Sequence, residues 1–138
     1  MNCDNPVQLL TSLPYNYTVD MAVDNHDVLR TPEGKSLNID LLYSFIENVN
    51  RNVKDCIRIT YFGLDGPAQT SILQFNGDTI TLFIDNSRYS EINNDIYTNI
   101  ITKIYSEIKN VHGLTIQNFY GLTDKNLRLT IFSSILKY

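Results

Sequence analysis

The chain has no tryptophan, only two cysteines, four prolines and six glycines in 138 residues. Cys3 and Cys56 stand far apart, with no CxxC pair and no flanking histidine. That pattern argues against a zinc site or a dithiol redox motif and leaves a disulfide between them open. No apolar stretch approaches the ~18 residues of a membrane helix, and the N-terminus shows neither a basic segment nor the apolar run of a signal peptide. As written, the chain is expected to be soluble, with no transmembrane segment. Positive charge is also scarce: eleven Lys and Arg against fifteen Asp and Glu give a net charge of -4. The basic residues are scattered, so no block can neutralise several phosphates together, which argues against nucleic acid as a partner.

What is present fits an ordinary core. Apolar residues make up 43% and charged residues 19%, which excludes a disordered or fibrous chain. The length suits one domain, able to bury roughly two-thirds of the surface of its unfolded chain. Sixteen Ile and nine Tyr favour strands, because β-branched and aromatic side chains suit a pleated surface. Sixteen Asn supply turns and caps.

Residues 1–16 mix polar residues around Pro6 with a short apolar run and read as a flexible arm; residues 17–138 form the single globular domain. Thr18 is placed to cap a brief helix that Asn25 closes, and Asp27 to Leu29 reads as a short strand followed by a turn at Pro32 and Gly34. A clear helix is expected over 38–52, where Leu41, Leu42, Phe45, Ile46 and Val49 share one face. Strands are expected at 56–62, 69–75, 79–84, 114–120 and 127–136. Asn76-Gly77 marks a tight hairpin between the second and third of these. Over 95–109, propensity favours a strand, but Ile96, Tyr97, Ile100, Ile101, Ile104, Tyr105 and Ile108 form one helical stripe. Pattern is given precedence and a second amphipathic helix is expected there, with Asp95 as its cap. The fold class that results is α+β: two amphipathic helices packed on an antiparallel sheet of about five strands, with a small N-terminal helix.

The landmarks YTVDMAVDNHDVL, FIENV (45–49), KDCIRIT (54–60), FNG (75–77) and DNSR (85–88) occur in this order over residues 17–90. In them the chain resembles an uncharacterised domain family of small Gram-positive bacterial lipoproteins, described only as a domain of unknown function. The resemblance brings no active site. It implies an extracytoplasmic or membrane-anchored location, and it makes Cys3 a candidate lipid anchor; a complete gene product starting at Met1 would instead be cytoplasmic.

Motifs for chemistry are absent or incomplete. Gly34-Lys35-Ser36 resembles the end of a phosphate loop, but the required earlier glycine is Leu29, so a plain turn is the reading. Asp24, His26 and Asp27 are too closely spaced to face one metal ion without a dedicated loop. His112 sits in a turn. Arg58, mid-strand and pointing opposite to Ile57 and Ile59, reads as a solvated position. The strongest polar cluster is Asp85, Asn86 and Arg88, a candidate contact surface at the end of a strand.

No cofactor or metal site is expected. The reading is a non-catalytic binding or structural module of a bacterial cell-envelope lipoprotein. Two rivals stand beside it: a small hydrolase-like enzyme assembled only in the fold, using His26 or His112 with Asp85, and a domain that dimerises or binds a peptide along a sheet edge.

Overall fold

Residues 3–86 and 96–137 are described by a computed structural model of the chain. The elements in order are α1 (Pro6–Thr11), α2 (Val19–Asp24), β1 (Val28–Arg30), β2 (Ser36–Leu37), α3 (Asp40–Asn50), β3 (Asp55–Tyr61), β4 (Gln69–Phe75), β5 (Ile80–Asp85), β6 (Ile96–Val111), β7 (Leu114–Thr123) and β8 (Arg128–Lys137). The eight strands form one sheet in the order β2-β1-β3-β4-β5-β6-β7-β8. Every pairing is antiparallel except β1 with β3.

Local chemistry explains the helices. Pro6 sits in the first turn of α1, and the Asn5 side chain accepts from Gln8 N, so residues within the expected arm are helical, with Leu10 fully buried. Thr18 caps α2 by accepting from Met21 N. In α3 the apolar stripe turns Leu42 and Phe45 into the core while Tyr43 and Glu47 stay exposed.

The sheet curls into a half-barrel, and α3 packs against its concave side. Leu42 and Phe45 pack with Ile57, Ile59, Leu73, Phe75, Ile80 and Leu82, which β3, β4 and β5 present at alternate positions. Each such side chain contributes about 1.5–3 kcal/mol by leaving water. Farther round the curl, the Tyr43 ring meets Phe119 edge-on and its hydroxyl donates to Gln117 Oε1. The curl brings the two sheet edges together, with Ser36 Oγ of β2 lying 2.9 Å from Ser134 Oγ of β8. Tyr61 of β3 stacks near Phe132 and accepts from Ser133 N. On the reverse side, α1 lies against β4 and β5, and a smaller cluster gathers Tyr17, Ala22, Leu29 and Ala68.

The expected hairpin is present with its turn one residue later. Asn76 N donates to Thr79 O, which leaves Gly77 and Asp78 as the central pair, with Gly77 at φ 99°. The Asn76 side chain accepts from both Asp78 N and Thr79 N. Phe75 and Leu73 share the core side with Ile80 and Leu82, as the alternation requires.

The expected fold class is overturned. In place of two amphipathic helices on about five strands, the described residues hold one such helix on eight strands, with 18% of those residues helical and 48% in strands. Residues 96–111 are the longest strand, not a helix. A bulge explains the Ile101-to-Ile104 step of the misleading pattern: Ile101 pairs with Thr123 and Lys103 with Leu122, so Thr102 is an inserted residue. Before the bulge, Asn99 and Ile101 share a side; after it, Ile104, Ser106 and Ile108 continue that side. The phase slip turns a two-residue alternation into an i, i+3 step that imitates a helix. Only Ile101 of this strand is fully buried, so little burial enforces a clean alternation elsewhere.

Candidate functional site

Arg58 does not extend into solvent. Alternation on β3 sends Ile57, Ile59 and Tyr61 toward the core and Arg58 to the reverse side, beneath α2 and the segment that enters β1. There it is 6% exposed. A buried guanidinium needs a partner, and Asp27 supplies it: Arg58 Nε donates to Asp27 Oδ1 at 2.8 Å. Two hydroxyls complete the carboxylate's shell, Tyr17 at 2.6 Å and Thr60 Oγ1 at 2.8 Å, both donating to Oδ2. Asn25 Nδ2 donates in turn to the Tyr17 hydroxyl. Burial, with the Asp27 carboxylate at its hydroxyl, pushes the Tyr17 phenol up to about 12. His26, at φ 59°, makes the left-handed turn that ends α2 and directs Asp27 inward.

Beside this network the sheet has an open edge. β1 is three residues long and covers only Ile59, Thr60 and Tyr61. Among the described residues, no strand pairs with Asp55–Arg58 on that outer side. A groove of about 580 Å³ lies there, walled by Leu9 of α1, Asp24 and His26 at the end of α2, and Leu41 and Ser44 of α3. One backbone donor of this edge is already satisfied, since Cys56 N donates to Asp55 Oδ1. Asn48 Nδ2 holds the other Asp55 oxygen at 2.9 Å. Cys3 is joined to Cys56 by a disulfide, which fastens the N-terminal segment beside the groove. A sulfur in a disulfide carries no lipid, so this bond and the expected acyl anchor at Cys3 compete for one atom.

Arg58 also lines the groove. Its Nε is committed to Asp27, but its four Nη–H donors have no protein partner among the described residues. A fixed guanidinium with unused donors, on a residue that lines a groove, is suited to an anionic oxygen.

The polar cluster read from the sequence lies elsewhere. Asp85 ends β5, opposite Thr70, and is 2% exposed. Asp85 and Asn86 line a second, smaller cavity of about 200 Å³, together with Tyr61, Gln69 and Thr130. Arg88 and Asp95 lie outside the described residues. The histidines are not brought to Asp85: His26 borders the groove, while His112 follows the far end of β6, whose first residue pairs with Asp85. No group of three or more His, Cys, Asp or Glu able to hold a metal occurs among the described residues.

The sequence reading weighed Asp27 only as a metal ligand, passed over Tyr17 and placed Arg58 in water. The available signal was one charged residue inside the apolar run Ile57–Ile59, together with an acid immediately before the apolar Val28-Leu29. No helix of the described residues is long and apolar enough to cross a membrane. No family model matches the chain, and neither a curated protein nor a solved structure matches it.

Proposed function

We propose that this chain is a non-catalytic binding domain that takes an extended peptide segment into the groove, as an added strand along the outer side of Asp55–Arg58. The observation that carries the reading is the shortness of β1, which leaves half of β3 unpaired on the side where the groove lies. Main-chain hydrogen bonds along such an edge supply affinity, and flanking side pockets supply selectivity. Leu9 and Leu41 offer apolar contact on opposite sides of the strand, and a volume of about 580 Å³ is within the range of small-ligand sites. Ser44 and His26 both line the groove but share no hydrogen bond, so they make no nucleophile–base contact. The disulfide fits an oxidising compartment, in keeping with an envelope or extracellular location.

The test is titration of isotope-labelled, oxidised protein with a pooled tetrapeptide library, read by amide shifts. Shifts confined to Cys56, Arg58 and the groove walls are expected, with the peptides recovered intact. Ser44→Trp, a change at an exposed helical position, should abolish them. Shifts that map elsewhere, or cleavage of the peptides, would reject the reading.

A further inference from the structure

We infer that the groove selects a peptide ending in a free α-carboxylate, which the Nη donors of Arg58 receive. This inference rests on the strand-addition reading above and adds to it a polarity and a terminus.

The lane beside β3 is closed at one end. The chain turns at His26 and Asp27 and enters β1 at Val28, which lies opposite Ile59. A ligand strand beside Asp55–Arg58 therefore has no room to run on past Arg58 and must stop or turn away there. A strand parallel to β3 brings its C-terminus to that end; an antiparallel one brings its N-terminus. Arg58 decides between them, because a cation with unused donors favours a carboxylate and disfavours an ammonium group.

The guanidinium is prepared for this role. Asp27 Oδ1 holds Nε at 2.8 Å, and the Tyr17 ring centroid lies 5.9 Å from Cζ, so the group is oriented before any ligand arrives. Little side-chain freedom then remains to be lost on binding. Asp24 and Asp55 on the walls add negative charge, so one terminal carboxylate suits the site and a polyphosphate or other polyanion does not. The closed lane also distinguishes a C-terminus from an internal Asp or Glu, whose flanking chain would collide with the entry to β1.

The probes are two tetrapeptides of one sequence, taken from the binders above, one with a free C-terminus and one amidated, plus an N-acetylated form of the first. Each is titrated into the oxidised full chain. Amidation should weaken binding roughly tenfold to a hundredfold, the range of a charge-assisted hydrogen bond. N-acetylation should change it less than about twofold, because a peptide whose carboxylate is at Arg58 has its N-terminus at the other end of the lane. The paired variant Asp27→Leu with Arg58→Met removes both charges together and keeps the site filled, and it should bind acid and amide alike. If acid and amide bind the wild-type groove equally, the carboxylate assignment is overturned while strand addition stands. If acetylation weakens binding and amidation does not, the ligand runs the other way and the assignment is likewise overturned. If no peptide shifts the Cys56 and Arg58 amides, both readings fall.

Discussion

Asp27 and Arg58 are 31 residues apart in the chain and form a buried ion pair at 2.8 Å, 1% and 6% exposed. The pair fastens the segment between α2 and β1 to the first half of β3, and so fixes both the end of the groove and the orientation of the guanidinium that lines it.

Removing one partner should cost far more than removing both. Asp27→Ala leaves Arg58 charged and buried, and the expected loss is about 3–5 kcal/mol in urea unfolding. The double variant Asp27→Leu with Arg58→Met should recover most of that loss, since a well-packed apolar pair often matches a buried ion pair. A double variant no more stable than Asp27→Ala would show that the carboxylate's bonds to Tyr17 and Thr60 matter more than the ion pair.

Tyr17 predicts an alkaline response. Its phenol is raised above 10 to about 12 in the folded chain, so the folded state holds the proton more tightly than the unfolded state does. The associated stability is complete below pH about 10 and is lost as pH rises through about 12. Tyr17→Phe should cost about 1–2 kcal/mol at neutral pH by removing the bond to Asp27. The gap between wild type and variant should then narrow as pH rises between those two values. A gap that stays constant over that window, measured by urea titration, would remove Tyr17 from the linkage.

The disulfide between Cys3 and Cys56 closes a loop of sequence separation 53. Chain-entropy reasoning gives it about 4 kcal/mol, less whatever the unfolded chain retains. Cys3→Ser with Cys56→Ser should lower the unfolding midpoint accordingly. Intact mass before and after reduction should differ by two hydrogens in protein from its native host. A lipid-sized mass addition at Cys3 would show instead that acylation took the sulfur.

Gly121 is a packing constraint on β7. A Cβ there would stand 3.0 Å from the Cδ1 atoms of both Ile101 and Ile131. Gly121→Val should destabilise by about 1–3 kcal/mol through overpacking. Ile131→Ala should be less costly in that background than alone, because the space it vacates is the space valine needs. Additive costs in thermal melts would place the strain elsewhere.

Much of the fold was legible wherever local chemistry acts alone. Thr18 accepts from Met21 N because a hydroxyl before a helix meets a free backbone donor. The stripe of α3 is a 3.6-residue repeat, and Ile57, Ile59 and Tyr61 alternate because successive residues of a strand face opposite ways. Asn76 and Gly77 marked the hairpin because a positive φ is cheap at glycine. The site was far less legible: Asp85, Asn86 and Arg88 stood out as a polar run, whereas the groove is assembled from α1, α2, α3 and β3, none of which announces it.

The sequence by itself determined the alternation of β3, β4 and β5, the turn after β4 and the amphipathic stripe of α3, since those depend on neighbours a few residues away. Only the tertiary structure decided that 96–111 is a strand, because its inserted Thr102 has meaning only against the partner strand β7. It also decided that Arg58 is buried, because a charge leaves water only when a partner is brought to it, and Asp27 reaches Arg58 through the parallel pairing of β1 with β3. The shortness of β1 has the same origin: three residues pair, and the unpaired half of β3 becomes the open edge.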